Sequence, residues 1–408
     1  MRTIEEVRHQ VLSTVRPTPS ETVELGEAIG RVLAKAVVAP HDVPSFANSA
    51  MDGFAVRAID VASLGAVLEI VEELAAGETA TRRVGDGQAI KIMTGAPIPD
   101  GADTVVRVED TDEEGGKVHI ATAPPAGTSV RPPGGDVTAG STVFPPGVRL
   151  TAPHIGVLAT LGIVSPTVAR KPRVAVMSTG DELVSPETET LKPGKIRDSN
   201  RPMLVQLAKG AGADAVDMGT IPDDANSLRA ALGEAAATAD AIVTSGGVSM
   251  GEFDVTKAVL KESADVEFFL VAMKPGKPQG FGTIGGTPFF GLPGNPVSVL
   301  VSFEQFVRPA LLHIQGASAL LRPRVMGVAG ETLESDPAKE EFVRVRFEGA
   351  TLPPTVVPTG GRGSHVLSGA ANADVFAVLP REISRVDAGE PVILELFRAR
   401  ETRGVDRG

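Results

Sequence analysis

Two glycine-containing turns stand where a phosphate could be held. The first, Ser178-Thr179-Gly180, follows the apolar run 173–177, and the second, Ser245-Gly246-Gly247, follows the run 241–244. Glycine lets backbone N–H groups approach a phosphate closely, and a helix N-terminus adds favourable partial charge. Each could instead be a plain turn. Two of them in one stretch of alternating strands and helices favour a ligand cleft outside the carboxyl ends of the strands.

A lysine pair and a rigid turn could supply cations and shape to that cleft. Lys274 and Lys277 stand three residues apart around a Pro-Gly pair, so one turn carries both ammonium groups and suits an anion. A solvated basic turn is the alternative. The segment 291–296, Gly-Leu-Pro-Gly-Asn-Pro, specifies one backbone shape through Pro293 and Pro296, just before a predicted helix.

Acidic residues in predicted loops form a third set: Asp52, Asp136, Asp181, Glu182, Asp223 and Asp254. Each could simply be solvated. If several share a phosphate site they need a bridging cation or a proton, because two like charges about 4 Å apart repel by about 4 kcal/mol at an effective dielectric of about 20. All-oxygen ligands favour Mg²⁺. The segment Asp198-Ser199-Asn200 precedes a helix and is either a helix cap or a polar ligand contact.

Hydrophobic periodicity predicts the elements that position these residues. From about 46 to 136, short apolar runs between Gly, Pro and Asp predict a β-rich unit. After Pro172 strands and helices alternate, which predicts a parallel α/β sheet. Beyond Pro323 the pattern returns to strands and predicts a C-terminal β domain. Helices are predicted at 4–15, with a Thr3–Glu6 capping box, and at 201–210, 224–238 and 296–314.

Composition excludes several classes of protein. The chain has 408 residues, which predicts two to four folding units, and no cysteine, which excludes disulfides, thiolate metal sites and cysteine nucleophiles. Its net charge of −12 repels nucleic acid and anionic membranes. No signal-peptide pattern begins the chain, so we expect a cytoplasmic protein. Neither turn is followed by a dinucleotide or P-loop motif, which disfavours oxidoreductases and P-loop ATPases.

Taken in order, these segments resemble the MoeA-type molybdopterin molybdenumtransferase family, which includes the E domain of gephyrin and its plant counterpart. The resemblance covers nearly the whole chain. It is carried by Pro44, Ser49-Ala50-Met51-Asp52-Gly53-Phe54-Ala55-Val56, Met93-Thr94-Gly95-Ala96-Pro97, Ser178-Thr179-Gly180-Asp181-Glu182-Leu183, Asp198-Ser199-Asn200, Ser245-Gly246-Gly247-Val248-Ser249, Lys274-Pro275-Gly276-Lys277-Pro278 and Gly291-Leu292-Pro293-Gly294-Asn295-Pro296-Val297-Ser298.

The resemblance implies a multidomain α/β plus β fold and an elongated homodimer. The implied domains are an elongated, dimerising N-terminal domain (1–45 and 137–170), an inserted β-rich domain (46–136), a central parallel α/β, MogA-like domain (171–318) and a C-terminal β-barrel-like domain (319–408). The active site is expected between the α/β domain of one subunit and the β-rich domain of the other.

The activity implied is insertion of molybdate into adenylated molybdopterin, with Mg²⁺-dependent release of AMP. Further partners implied are the upstream adenylyltransferase and downstream enzymes that use the cofactor. Two alternatives stay open at this point. One is molybdopterin adenylyltransferase activity, because the α/β domain also resembles that enzyme. The other is a gephyrin-like scaffold without chemistry.

Carried over position by position, the resemblance also implies the site residues. Asp52, Thr94, Glu182 and Asp254 would be catalytic, and Glu182, Asp223 and Asp254 would hold Mg²⁺ beside the phosphates. Substrate binding is assigned to Ser245, Gly246, Gly247, Lys274, Lys277, Asp198, Ser199, Arg131, Asp136, Pro293, Pro296, Ser364 and Ser368. Three departures from the family pattern are Phe54, where Tyr is common, Leu270, which is basic in some relatives, and the loosely fitting segment 363–368.

Overall fold

A computed structural model describes residues 1–247, 258–260, 265–349 and 352–397. Within these residues the strands form three six-stranded sheets and five two-stranded ones. The multidomain α/β plus β fold class is thereby confirmed. The two-stranded sheets pair Ser20–Thr22 with Thr167–Ala169, Val37–Val38 with Thr142–Phe144, Asn48–Ser49 with Val130–Arg131, Leu183–Val184 with Ile196–Arg197, and Leu333–Glu334 with Arg385–Val386.

The helices surround the central sheet or connect to it. They are Ile4–Thr14 (α1), Ala152–Thr160 (α2), Asn200–Gly210 (α3), Ala225–Thr238 (α4), Pro296–Ser302 (α5), Arg308–Ile314 (α6) and Leu367–Ala371 (α7), and residues 258–260 are also helical. A π-helical turn, Phe303–Val307, joins α5 to α6 without a break. Short 3₁₀ turns cover Leu25–Glu27, Ala58–Val61 and Val108–Asp110.

Local signals predicted α1, α3, α4 and the continuous stretch from α5 to α6, whereas α2 and α7 were not predicted. Thr3 and Glu6 form the expected capping box at the start of α1, whose apolar face joins the core under the central sheet. Among the described residues, one stretch is long and apolar enough to cross a membrane by length and composition. That stretch is Pro296–Ile314, and its apolar window is 94% buried inside the fold.

The central sheet has a parallel half and an antiparallel half. Its spatial order is Asp214–Ile221, Arg173–Thr179, Ala241–Ser245, Thr287–Leu292, Pro278–Ile284 and Asp265–Leu270. The first four strands run parallel, as predicted, whereas the last two pairings are antiparallel. The antiparallel half was not predicted. One of its two pairings, Pro278–Ile284 with Thr287–Leu292, follows from the two-residue turn Gly285-Gly286, because both residues have positive φ, as a tight hairpin requires.

The second sheet lies in the stretch between residues 53 and 120. Its spatial order is Thr104–Arg107, Gly53–Val56, Gln88–Ile92, Ala66–Leu74, Lys117–Ile120 and Thr111–Glu114. Apolar side chains on its two faces belong to two separate core clusters. Phe54 is fully buried in one of them, so this position serves packing.

The C-terminal strands close into a five-stranded barrel. In spatial order these are Glu340–Glu348, Thr355–Pro358, Arg324–Ala329, Pro391–Glu395 and Val375–Leu379, and the last pairs again with the first. A sixth strand, Met273–Lys274, adds to the barrel from the unit that carries the central sheet and runs parallel to Glu340–Glu348. This added strand ties the two units together next to the predicted lysine turn.

Candidate functional site

A cavity lies beyond the carboxyl ends of the parallel strands, where ligands bind in sheets of this kind. We call it the strand-end cavity; its volume is about 270 Å³. Among the predicted site residues it is lined by Glu182, Asp198, Ser199, Ser245, Gly246 and Pro296. The two glycine turns therefore meet, as the sequence predicted.

Backbone geometry explains why glycine stands in these turns. Gly180 has a φ of 139° and Gly246 a φ of 95°, which side-chain-bearing residues rarely adopt. A Cβ on Gly246 would lie 2.6 Å from the carbonyl oxygen of Thr179, so no larger residue fits. The N–H of Gly246 already donates to the carbonyl of Leu292 at 3.1 Å, so it serves the turn itself.

Asp198 caps helix α3 from inside the protein. Its carboxylate is buried and accepts hydrogen bonds from the Ser178 hydroxyl at 2.5 Å and from the backbone N–H groups of Asn200 and Arg201, each at 3.1 Å. The Arg201 guanidinium donates to the same carboxylate at 3.1 Å. The cap interpretation of this segment thus describes its geometry, while the neighbouring Ser199 is exposed at the cavity wall.

Asn200 is a candidate site residue that the sequence-based assignment left out. Its side-chain amide donates to the Ser245 hydroxyl at 2.8 Å and to the Gly294 carbonyl at 2.6 Å. Its Oδ1 atom is buried and has no hydrogen-bond partner among the described residues. Buried acceptors are normally satisfied, so this atom is suited to a ligand donor or a water in the cavity. The available signal was its place in the Asp198-Ser199-Asn200 motif.

Two of the three carboxylates predicted to hold Mg²⁺, Glu182 and Asp223, lie in the part of the chain that the structure describes. Glu182 is exposed at the strand-end cavity. Asp223 is exposed and lies against Asp181, since the backbone N–H of each donates to the carboxylate of the other, at 3.2 and 3.3 Å. Asp254 lies outside the described residues. Within the described residues no three His, Cys, Asp or Glu side chains form a group that could hold a metal ion.

A second cavity of about 390 Å³ adjoins the first, since Asn295 lines both. We call it the lysine pocket. Its charged and hydroxyl-bearing lining comes from two units: Lys274, Lys277 and Ser298 from the central unit, and Glu341, Arg344, Thr359, Arg362 and Ser364 from the C-terminal one. The sequence-based assignment included both lysines and Ser364 and missed the other charged residues. Glu341 and Arg344 lie in a strand, Glu340–Glu348, that carries three further charged residues, so the sequence offered no signal that singled them out.

Buried polar contacts fix the turn that carries the lysines. The Gln279 amide donates to the Gly276 carbonyl and to the Ser302 hydroxyl, both at 2.6 Å. Gly276 has a φ of 104°, and a Cβ there would lie 2.9 Å from both Met273 and Ser302. The N–H of Val271 donates to the Lys277 carbonyl at 2.8 Å and closes the base of the turn. The backbone that carries both lysines is therefore fixed beside the pocket that they line.

Arg344 holds the loop that forms the opposite wall. Its guanidinium donates to the backbone carbonyls of Gly361, Gly363 and Val366. Burial lowers the pKa of Arg344 below its ordinary value. The backbone carbonyl of Ser364 in this loop accepts a hydrogen bond, at 3.0 Å, from the N–H of Val297, which lies in the first turn of α5.

The remaining predicted residues of this part of the chain surround the two cavities. The Pro293 carbonyl accepts a hydrogen bond from the Ser245 hydroxyl at 3.5 Å. His365, which was not assigned, lines the strand-end cavity. Gly247 follows the second turn with a φ of 68°. Ser368 is exposed on α7 and is not among the residues lining either cavity.

A separate pair of predicted site residues, Asp52 and Thr94, lies at the second sheet, and we call it the Asp52 patch. The Asp52 carboxylate accepts hydrogen bonds from the N–H of Thr94 at 2.6 Å and from its hydroxyl at 2.7 Å. These contacts, the backbone one first, lower the pKa of Asp52 below its ordinary value. Arg131 is the strand partner of Asn48 in the sheet of Asn48–Ser49 and Val130–Arg131. The Oδ1 atom of Asn48 is buried and has no hydrogen-bond partner among the described residues. Asp136 is exposed in the loop after Val130–Arg131.

Within one chain the patch is not bonded to the described residues of the two cavities. In the described part of the chain, no hydrogen bond or ion pair joins Asp52, Thr94, Arg131 or Asp136 to a residue that lines either cavity. One copy of the chain therefore brings the two cavities together, but no such bond among the described residues links the patch to them.

Comparison with known proteins identifies the chain's relatives. Residues 2–162 match the MoeA N-terminal region (domain I and II), residues 175–313 match a probable molybdopterin binding domain, and residues 327–397 match the MoeA C-terminal region (domain IV). Molybdopterin molybdenumtransferase 2 of Mycobacterium tuberculosis is 40% identical, over 95% of this chain and 98% of that protein. Molybdopterin molybdenumtransferase of Haemophilus influenzae is 37% identical, over 97% and 99%.

A solved structure has the same architecture. The molybdopterin biosynthesis moeA protein from Pyrococcus horikoshii superimposes with a TM-score of 0.86 at 29% sequence identity, covering 97% of this chain and 100% of that one. Together with the ordered motifs and the two cavities they line, these similarities show that the chain belongs to the molybdopterin molybdenumtransferase family.

Proposed function

We propose that the chain is a molybdopterin molybdenumtransferase that inserts molybdate into adenylated molybdopterin and releases AMP. The observation that carries this proposal is the adjacency of the two cavities through Asn295. A substrate with a nucleotide part and an anionic pterin part needs a phosphate-type cleft beside a cationic pocket. The relatives named as molybdopterin molybdenumtransferases cover almost the whole chain, which supports the same activity.

The strand-end cavity is proposed to hold the phosphates of the adenylate. Ser245 and Ser199 offer hydroxyl groups there, and the unpartnered Oδ1 of Asn200 offers an acceptor for a water molecule or an N–H or O–H group of the ligand. The exposed carboxylates of Glu182 and Asp223 have the oxygen chemistry that Mg²⁺ prefers, with Asp254 proposed as a further ligand. Bound there, Mg²⁺ would screen the repulsion between carboxylates and phosphates.

The lysine pocket is proposed to hold an oxyanion, either molybdate or the pterin phosphate. Lys274, Lys277 and Arg362 point positive charge at a cavity that Ser364 also lines. Charge-assisted hydrogen bonds from ammonium and guanidinium groups are the strong kind for such a ligand. Pro296 lines the neighbouring strand-end cavity, and the Pro293 carbonyl accepts a hydrogen bond from the Ser245 hydroxyl there.

We further propose that the working enzyme is a homodimer. In the described part of one chain, no hydrogen bond or ion pair joins the Asp52 patch to a residue that lines either cavity, so a second subunit would deliver it. Arg131 and Asp136 would reach the substrate from the same side. In this arrangement Asp52 acts on the adenylate held by the other subunit. The division into four domains remains a prediction alongside this proposal.

The activity is tested by nucleotide release. Purified full-length protein is incubated with adenylated molybdopterin, molybdate and Mg²⁺, and AMP is measured with and without molybdate. AMP that appears only in the complete mixture supports the proposal, whereas unchanged adenylate contradicts it. Incubation of molybdopterin with ATP is the control for the adenylyltransferase alternative, which would produce pyrophosphate.

A further inference from the structure

A single buried carboxylate lies between the cations of the lysine pocket. Glu341 is 4% exposed, with Oε2 3.4 Å from the Lys274 ammonium and Oε1 3.2 Å from the Arg362 guanidinium. Lys274 and Glu341 are direct partners in the parallel ladder that attaches Met273–Lys274 to the barrel, so their side chains emerge side by side. The same carboxylate accepts the backbone N–H of Asp336 at 3.2 Å.

The other charges near the pocket are placed differently. Arg344 is directed at three backbone carbonyls of the loop behind it. Asp336 is half-exposed and paired with Lys339, and Glu334 reaches Arg362 at 3.5 Å from a side chain that is 68% exposed. Solvent screens the last two carboxylates. Among the described residues that line the pocket, Glu341 is the acidic one. An entering anion therefore meets its negative charge at close range.

We propose that Glu341 sets the charge preference of the lysine pocket by competing with the bound oxyanion for Lys274 and Arg362. This role rests on the proposed function, because the pocket must bind an oxyanion for the competition to exist. Without Glu341 the cations would hold a doubly charged oxyanion far more tightly. With it, the oxyanion is held weakly enough to leave for the neighbouring cavity.

Electrostatics distinguishes this role from simple support of the pocket walls. The repulsion between Glu341 and a ligand is proportional to the ligand's charge. Removing the charge at position 341 must therefore change the binding free energy of a dianion twice as much as that of a monoanion of the same shape. A wall-supporting residue would instead affect two ligands of the same shape equally.

The test compares molybdate and perrhenate, two tetrahedral oxyanions that carry two charges and one. Binding of each is measured by calorimetry at low ionic strength with the full-length wild-type protein and with Glu341→Gln. We expect Glu341→Gln to bind perrhenate about threefold and molybdate about tenfold more tightly. Equal factors for both ligands, or weaker binding of both, would overturn the role of Glu341.

Two controls separate the possible failures. Glu334→Gln removes a screened carboxylate that also faces Arg362, and it should change both affinities by less than about twofold. Lys274→Gln should abolish binding of both oxyanions. If the wild type binds neither oxyanion, or if Lys274→Gln leaves binding intact, the oxyanion pocket itself is refuted together with this role. Melting curves verify folding, and Glu341→Ala replaces the Gln variant in the same assay if that one melts early.

Discussion

Two clusters in this protein each place several cations around one buried carboxylate. In the lysine pocket, Lys274 and Arg362 flank Glu341. In the π-helical turn Phe303–Val307, Glu304 accepts two hydrogen bonds from Arg322, at 2.8 and 3.1 Å, and lies 3.8 Å from Arg308. Both carboxylates are almost fully buried, so residue types alone do not distinguish the two clusters.

They differ in what the cations do with their remaining donors. Arg308 donates to the Leu320 carbonyl, and the neighbouring Arg149 donates to the Gly30 and Gly210 carbonyls. Burial first, and then Arg322, lowers the pKa of Arg308 to about 10. Both clusters line a cavity, which is about 260 Å³ beside Glu304, and Arg362 also donates to one backbone carbonyl, that of Glu334. The side chains differ in exposure: Arg308 and Arg322 are 12% and 26% exposed, whereas Lys274 and Arg362 are 40% and 47% exposed. Donors that the fold satisfies hold the structure together, whereas donors on half-exposed side chains beside a cavity are available to a ligand.

The largest expected effect lies in the Glu304 cluster. Glu304→Gln leaves Arg308 and Arg322 without their buried counter-charge, which costs about 3–5 kcal/mol of unfolding free energy. Chemical denaturation measures the loss, and AMP release per folded molecule should stay unchanged. Glu382→Gln, which breaks an exposed pair with Arg381, is the matched control and should cost less than about 1 kcal/mol. Similar costs for the two variants would show that the Glu304 cluster does not stabilise the fold more than an exposed ion pair does.

The lysine pocket should respond in activity instead. Lys274→Gln is expected to lower kcat/KM for AMP release about 100-fold, or ~2.7 kcal/mol, through loss of a charge-assisted contact. Its melting temperature should change little, because Arg362 still neutralises Glu341 and Lys274 is half-exposed. Lys339→Gln, a lysine nearby that does not line the pocket, is the control. Full activity of Lys274→Gln would show that this cluster too is structural.

Mixed dimers extend the comparison to the Asp52 patch. Subunits carrying Asp52→Ala and subunits carrying Lys274→Gln are each expected to be nearly inactive. When the two are unfolded, mixed and refolded together, about half of the dimers carry one intact shared site, so about a quarter of wild-type AMP release should return. Wild-type protein taken through the same cycle is the control. No recovery would refute a site shared between two subunits.

The smallest expected effect is a shift in pH dependence. Asp52 has a lowered pKa because Thr94 donates to its charged form, so activity that needs ionised Asp52 persists above that pKa and is lost as pH falls through it. Thr94→Val keeps the backbone N–H and removes the hydroxyl, so the pKa rises toward its ordinary value. The acid limb of kcat/KM should then move to higher pH, while the melting temperature at pH 7 stays close to that of wild type. An unmoved acid limb would exclude Asp52 as the titrating group.

The sequence by itself determined several of the elements and one of the two cavities. The capping box of α1, the helices α3 and α4, and the strands that end in glycine turns all follow from local patterns within a few residues. Because parallel strands align their carboxyl ends, the meeting of the two turns followed from the same patterns. The family resemblance placed the lysine turn in a site, and the comparisons confirm that family.

Only the tertiary structure decided what completes the second cavity. Lys274 meets Glu341 because a short strand of the central unit pairs with the barrel, and no local signal specifies that register. Arg362 reaches the pocket through a loop that Arg344 holds in place, and the buried Oδ1 of Asn200 is recognised only from its surroundings. Helices and turns depend on neighbours along the chain, whereas these contacts depend on how separately folded units pack. For that reason the chemistry at their junction could be read only from the folded protein.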